Sequence, residues 1–412
     1  MIDARHRFSR PSLKAGIYAA AIFGAHLGFM PLLILLLPRR VEAIGDPEPL
    51  MFLSILLLIG GLVASVAHFV AGYISDLWLS RHGNRRALII WGLVALCFSY
   101  FHLAFAQTRM SLILGIVLFQ MALNLAFSPM SALLVDYFSD ATKGRVAGLM
   151  NAALPLSSAV VAAVALAIPT DSPSGFLLTA ATFSILIVPL LVIWPFHKII
   201  AARPEDAQHI TAPILANRRD FLLAWTARFL IQISAAFVIG YLYIYITSDA
   251  AKAMAPREGS ASELVGWLSA IATVAALMAA LVSGRISDAI GKRRLPLAIS
   301  ALLTASGLWL MSLQADWIGF IVGYCAFHAG LTAFLSIDAA LVAQLVSGHP
   351  RRGALLGLMN LTNTLPSVLV PALTIMAIDA ATAASVLGFA FKTCSIGAIL
   401  AGLAITNIKQ IR

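Results

Sequence analysis

The chain reads as an all-α integral membrane protein, with twelve transmembrane helices in two pseudo-symmetric six-helix bundles. Three observations predict it. Of 412 residues, 60% are hydrophobic and 11% charged, whereas a soluble domain carries about 25% charged residues. Apolar runs near the roughly 20 residues needed to cross a bilayer follow one another with short polar breaks. The chain also repeats itself. Gly72-Tyr73-Ile74-Ser75-Asp76 returns as Gly284-Arg285-Ile286-Ser287-Asp288, and Gly148-Leu149-Met150-Asn151 returns as Gly357-Leu358-Met359-Asn360, at offsets of 212 and 209 residues. Two motifs recurring at nearly one offset mark two equivalent halves.

The first six spans fall near residues 14–37, 51–75, 87–106, 111–136, 146–168 and 175–196. The second six fall near 221–246, 263–287, 296–314, 317–346, 354–378 and 384–406. The one long polar stretch lies between them. This gives an N-terminal bundle at 1–197, a linker at 198–220 and a C-terminal bundle at 221–412.

Orientation follows from the basic residues. With the N-terminus inside, 21 of the 28 lysines and arginines fall on the cytoplasmic side. Arg39, Arg40, Arg109, Lys252 and Arg257 fall outside, and Arg228 and Lys392 fall within spans. Positively charged loops stay in the cytoplasm, so both termini, the linker and the loops at Arg85 and Arg293 are expected there, in a bacterial inner membrane. The net charge of +10 is therefore topological and does not indicate a nucleic-acid partner. Cys97, Cys325 and Cys394 lie far apart in apolar runs and read as small core residues. Arg5, Arg7, Arg10 and Lys14 precede an apolar run too long for a signal peptide, which predicts an uncleaved first span. No lipidation motif, phosphate-cradling loop, catalytic triad or metal-ligand cluster is visible, so neither an enzyme nor a cofactor is expected.

The loop after the second span reads Gly72-x-x-Ser75-Asp76, then Arg85-Arg86; its partner reads Gly284-x-x-Ser287-Asp288, then Lys292-Arg293. In these motifs the chain resembles the major facilitator superfamily over its whole length. The resemblance implies alternating access around a central site. It also implies that Asp76 faces the start of the eleventh helix near Gly353 and Asp288 the start of the fifth near Gly144, closing the cytoplasmic side. Ser336 to Leu345, followed by Gly353, Gly357 and Asn360, more narrowly resembles the sucrose and glycoside-pentoside-hexuronide cation symporters.

Charges inside a bilayer are costly, about 2.5–3.5 kcal/mol each at a helix centre, so each is a candidate site. Arg228 and Asp338 fall at similar depth on antiparallel helices and are expected to pair, relaying a proton or holding a solute. Asp136, with Arg145 nearby in sequence, is expected to make an inter-helix contact. Gln120, Asn124, Phe127 and Ser131 share one face of the fourth helix, which is expected to be wet. Trp225, Arg228 and Gln232 share a face of the seventh, and Asn360 and Asn363 lie on the eleventh. Such groups orient a polar ligand, and the indole offers a flat surface to a sugar ring. His26 is the histidine placed to touch a ligand or titrate.

The expected function is secondary transport of a small polar solute of sugar or glycoside type, by proton-coupled symport, in a monomer embedded in lipid. Export of amphipathic compounds is the rival, with Phe29, Met30, Phe127 and Phe334 lining an apolar cavity. A non-transporting receptor or assembly factor is the reading from another class.

Overall fold

The computed structural model describes residues 11–138, 153–169, 172–194, 218–254, 259–290, 293–313, 315–345, 352–378 and 383–409. All regular structure among them is helical. The first span, α1, comprises Pro11–Leu27, a π-helical turn Leu32–Leu36 and Leu37–Ala43. It is followed by α2 (Pro49–His82), α3 (Arg86–Ala104), α4 (Arg109–Tyr137), α5 (Ala153–Ala167) and α6 (Ser174–Ile193). The second half comprises α7 (Arg218–Thr247), α8 (Ala261–Ile290), α9 (Arg294–Leu313), α10 (Trp317–Leu345), α11 (Arg352–Ile378) and α12 (Ala383–Thr406). Eleven of these are long and apolar enough to cross a bilayer, and the described part of α5 is a shorter apolar helix.

Local chemistry sets the helix ends. The Thr108 hydroxyl accepts from the Ser111 amide at 3.2 Å and starts α4. Ser260 and Glu263 cap α8 reciprocally: the Ser260 amide donates to Glu263 Oε2 at 2.8 Å and the Glu263 amide to Ser260 Oγ at 3.3 Å. Gly83 closes α2 at φ 73, where a side chain would be strained.

The two halves pack alike. A Cβ on Gly92 of α3 would lie 2.4 Å from the Ala126 amide nitrogen of α4, and one on Gly307 of α9 would lie 2.4 Å from that of Phe327 on α10. Equivalent helix pairs thus approach through a glycine in each bundle, where van der Waals contact substitutes for the hydrophobic drive that lipid does not supply.

Three boundaries differ from expectation, one being the end of α2, which runs to His82, seven residues past 75. The first span runs past residue 37 to Ala43, so Arg39 and Arg40 are helical and not in a loop. Pro38 sits in the first turn of its segment, where its missing N–H costs nothing. Arg39 is 4% exposed because its guanidinium finds partners: Nε donates to Ser262 Oγ at 2.6 Å and Nη2 to the Ala165 carbonyl at 3.2 Å. At the third, α7 begins at Arg218, three residues inside the expected linker. Asp220, in its first turn, is buried and accepts from the Lys409 amide at 3.1 Å, tying the end of α12 to the start of α7.

The bundles meet in the half of the molecule away from the arginine-rich loops. There Arg39 reaches Ser262 and Ala165, the Tyr243 hydroxyl donates to Glu42 at 2.6 Å, and the Tyr241 hydroxyl donates to Ser54 at 2.9 Å. A Cβ on Gly61 of α2 would lie 2.5 Å from the Ser367 carbonyl oxygen of α11, and one on Gly266 of α8 would lie 2.9 Å from Ala165 Cβ of α5. Nearer mid-depth, Thr273 Oγ1 donates to the Pro155 carbonyl at 3.3 Å. On the same closed side Arg109 grips Asp46 in a bidentate pair at 2.5 and 2.7 Å, which holds the Asp46 carboxyl below the usual carboxylate range. A depressed carboxylate stabilises the fold above its unfolded pKa of about 4, and the contribution is lost as pH falls below that. Toward the arginine loops, Phe69 and Tyr73 of α2 are 79% and 67% exposed. Among the described residues, the contacts between the bundles therefore lie at one end, and the end that carries the basic loops is the open one.

Candidate functional site

A polar network spans α7, α10 and α11 on the open side of the closed seam. Arg228 Nη1 donates to Asp338 Oδ2 at 3.0 Å. Arg228 Nη2 also reaches Asn363 Oδ1 at 3.3 Å, and Gln232 Nε2 donates to the same oxygen at 2.6 Å. Asn363 Nδ2 passes the chain on to Asn360 Oδ1 at 2.9 Å. Trp225 Nε1 donates to the Leu358 carbonyl at 2.9 Å, and its ring stacks on Phe229 at 5.0 Å. Helical periodicity explains the assembly: Trp225, Arg228 and Gln232 follow at spacings of three and four, so one stripe of α7 meets one stripe of α11.

The network is graded in exposure. Asp338 is fully buried, Arg228 is partly covered, and Asn360 and Asn363 are exposed. Asp338 Oδ1 and Arg228 Nε are buried without a hydrogen-bond partner among the described residues. An unpaired oxygen on a buried carboxylate is costly and calls for a proton, a water or a ligand.

Facing this from the other bundle is a smaller polar group. Asn124 of α4 is 7% exposed; its Nδ2 donates to the Gln120 carbonyl at 2.9 Å, and its Oδ1 lies 3.1 Å from His68 Nδ1 on α2. The face of α4 expected to be wet is thus partly shut, because the His68 ring lies against it. His68 was not singled out by the sequence, since its partner is 56 residues away on another helix. His26 is held to its own helix. Its Nδ1 donates to the Ile22 carbonyl of its own helix at 2.8 Å, and its ring packs near Phe29 and Phe127 at 5.4 and 6.0 Å. Of the residues expected to wall an apolar cavity, Met30 and Phe334 are at most 1% exposed and belong to the core, while Phe29 and Phe127 are half-buried.

At the mouth of the open end, Arg85 gathers two carboxylates. Its Nη2 lies 2.9 Å from Asp76 Oδ1, its Nε 2.9 Å from Asp136 Oδ2, and its Nη1 2.5 Å from Ser75 Oγ. Asp136 therefore makes its inter-helix contact through Arg85. In this open state Asp76 is bonded within its own bundle and is 75% exposed. Gly72 faces Ser128 Oγ, 3.5 Å from where its Cβ would be. Arg86 opens α3, and Arg293 precedes α9. Gly284 and Asp288 lie on the last turns of α8 and Gly353 on the first of α11, with their side-chain surroundings outside the described residues. Gly144, Arg145 and Lys292 also lie outside them.

The exposures rank two substitutions. Asp136, with a side chain 13% exposed, should cost about 1.5–3 kcal/mol on Asp136→Asn, as expected for a hydrogen bond to a charged group. Asp76→Asn, at a solvated position, should cost at most about 1 kcal/mol. Thermal unfolding of the purified variants in detergent measures both, and equal losses would contradict the burial difference.

A family model described as Major Facilitator Superfamily matches residues 19–251 and 225–409 of the chain. No curated protein matches it by sequence. Among solved structures, the human organic anion transporter MFSD10 (TETRAN) superposes with a TM-score of 0.66 at 15% identity, over 96% of this chain and 100% of that one. At that identity the likeness is one of fold.

Proposed function

Because the chain belongs to the major facilitator superfamily, and so is a secondary transporter and not an enzyme, we propose that it moves a small hydroxylated solute of sugar or glycoside type together with a proton. The carrying observation is Asp338: fully buried, with one oxygen held by Arg228 and the other without a partner among the described residues, it adjoins amide side chains exposed in the opening. A proton on Oδ1 removes the buried charge and weakens the hold on Arg228, which then turns more fully to Asn363 or to the solute. Solute binding and protonation are coupled through one guanidinium. Asn360, Asn363 and Gln232 supply donors and acceptors that suit hydroxyl groups, and Trp225 supplies an apolar face. The basic loops lie at the open end, so by the positive-inside rule that end is cytoplasmic and the structure is inward-open.

The test is uptake into proteoliposomes of a panel of labelled hexoses, pentosides and hexuronides, with and without an imposed pH gradient. A gradient-dependent rise of at least tenfold over equilibrium, abolished by a protonophore, is expected for one panel member. Uptake driven equally by sodium at constant pH would overturn proton coupling. Transport of amphipathic compounds alone would overturn the solute class.

A further inference from the structure

Helices α2 and α11 touch where Gly61 meets Ser367, and from that point both run toward the open end. Seven residues along α2 stands His68, and seven residues along α11 in the same direction stands Asn360. Seven residues are two helical turns, about 10 Å, and return to nearly the same face. By spacing, both residues lie near the stripe that carries the seam contact, one on each side of the seam and two turns toward the open end, with His68 also bonded to Asn124 of its own bundle.

Their hydrogen-bonding roles are fixed by their neighbours. Asn124 Nδ2 donates to the Gln120 carbonyl, which can only accept, so Asn124 presents Oδ1 to His68. That oxygen also can only accept. The neutral His68 ring therefore carries its hydrogen on Nδ1 and a lone pair on Nε2. Across the seam, Asn363 Nδ2 donates to Asn360 Oδ1, which leaves Asn360 Nδ2 as a donor on an exposed side chain. One bundle thus offers an acceptor and the other a donor. A hydroxyl of a solute satisfies both through a single oxygen, as the water it displaces does.

We propose that His68 Nε2 and Asn360 Nδ2 clamp one hydroxyl of the solute between the bundles, the hydroxyl donating to His68 and accepting from Asn360. The clamp draws α2 and α11 together below Gly61 and Ser367, so that solute binding favours closure of the open end. It rests on the reading that the solute is hydroxylated.

The experiment uses the full chain, by counterflow in proteoliposomes and by thermal stabilisation in detergent. The panel holds methyl glycosides, their monodeoxy analogues, linear polyols and hydroxyl-free amphipathic amides. For the solute taken, one monodeoxy analogue is expected to show at least a tenfold higher KM. His68→Phe should raise KM for the parent by the same tenfold and add nothing for that analogue, and Asn360→Leu should behave likewise. His68→Gln, which restores an acceptor, should stay within threefold of wild type. Equal further losses on parent and analogue in His68→Phe would mean packing alone and would overturn the clamp. So would a wild-type protein neither exchanging nor stabilised by any hydroxylated panel member. Exchange of polyols without any glycoside would retain the clamp and remove the sugar reading.

Discussion

Neutralising either member of the Arg228–Asp338 pair is expected to abolish gradient-driven accumulation, and neutralising both is expected to hurt less than the two single changes combined. Asp338→Asn leaves the guanidinium partly buried without a counter-ion, and Arg228→Gln strands a carboxylate that is fully buried. Breaking such a pair from one side costs about 3–5 kcal/mol. Contacting residues of this kind show coupling energies of about 0.5–3 kcal/mol in double-mutant cycles. Transport assays separate the roles. If Asp338 carries the proton, Asp338→Asn loses accumulation but keeps counterflow, which translocates solute with no net proton movement. Retained pH-driven accumulation in a folded Asp338→Asn variant would remove Asp338 from the proton path, and full additivity would dissolve the pair.

The second large effect is expected at Gly61. Its missing side chain lets α2 lie against α11, and a Cβ there would stand 2.5 Å from a backbone oxygen that has no room to retreat. The contact exists only while that end is shut, so Gly61→Val charges its strain to one access state. Overpacking of about 1–3 kcal/mol shifts a two-state equilibrium by about 5–150-fold. Turnover should fall at least tenfold. Ser54, fully buried here, should become reactive to maleimide from that side when replaced by cysteine in the Gly61→Val background. Unchanged labelling together with normal transport would show that the seam closes elsewhere.

Much of this was legible in the chain. Twelve apolar runs and two repeated motifs suffice for the bundles because, in lipid, hydrophobic length and backbone hydrogen bonding leave helices few alternatives. Arg228 and Asp338 were legible because a charge inside an apolar run stands out against its neighbours. Arg39 was not. Flanked by Arg40 and preceded by Pro38, it has the look of a loop, and its burial depends on Ser262 and Ala165, which are 223 and 126 residues away. His68 was missed for a similar reason: a histidine on an apolar helix acquires meaning only beside Asn124. Its spacing of seven from Gly61 was a usable signal, but only to a reader who knew that Gly61 marks the seam. Phe334 and Met30 show the converse error, since the sequence pattern of a membrane helix does not separate large apolar residues that face core, cavity or lipid.

If Asp338 carries the coupled proton, the Arg228–Asp338 pair also sets the electrical work of the cycle. Together the two side chains sum to no net charge, so an empty carrier crossing between states moves nothing through the membrane field at this site. A proton on Asp338 leaves the guanidinium uncompensated, and with a neutral solute the loaded site carries one positive charge. A membrane potential is worth about 2.3 kcal/mol per elementary charge per 100 mV. On the proposed proton coupling, an interior-negative voltage is therefore expected to accelerate the loaded inward step and leave the empty return indifferent, so that direction depends on which form of the pair is crossing.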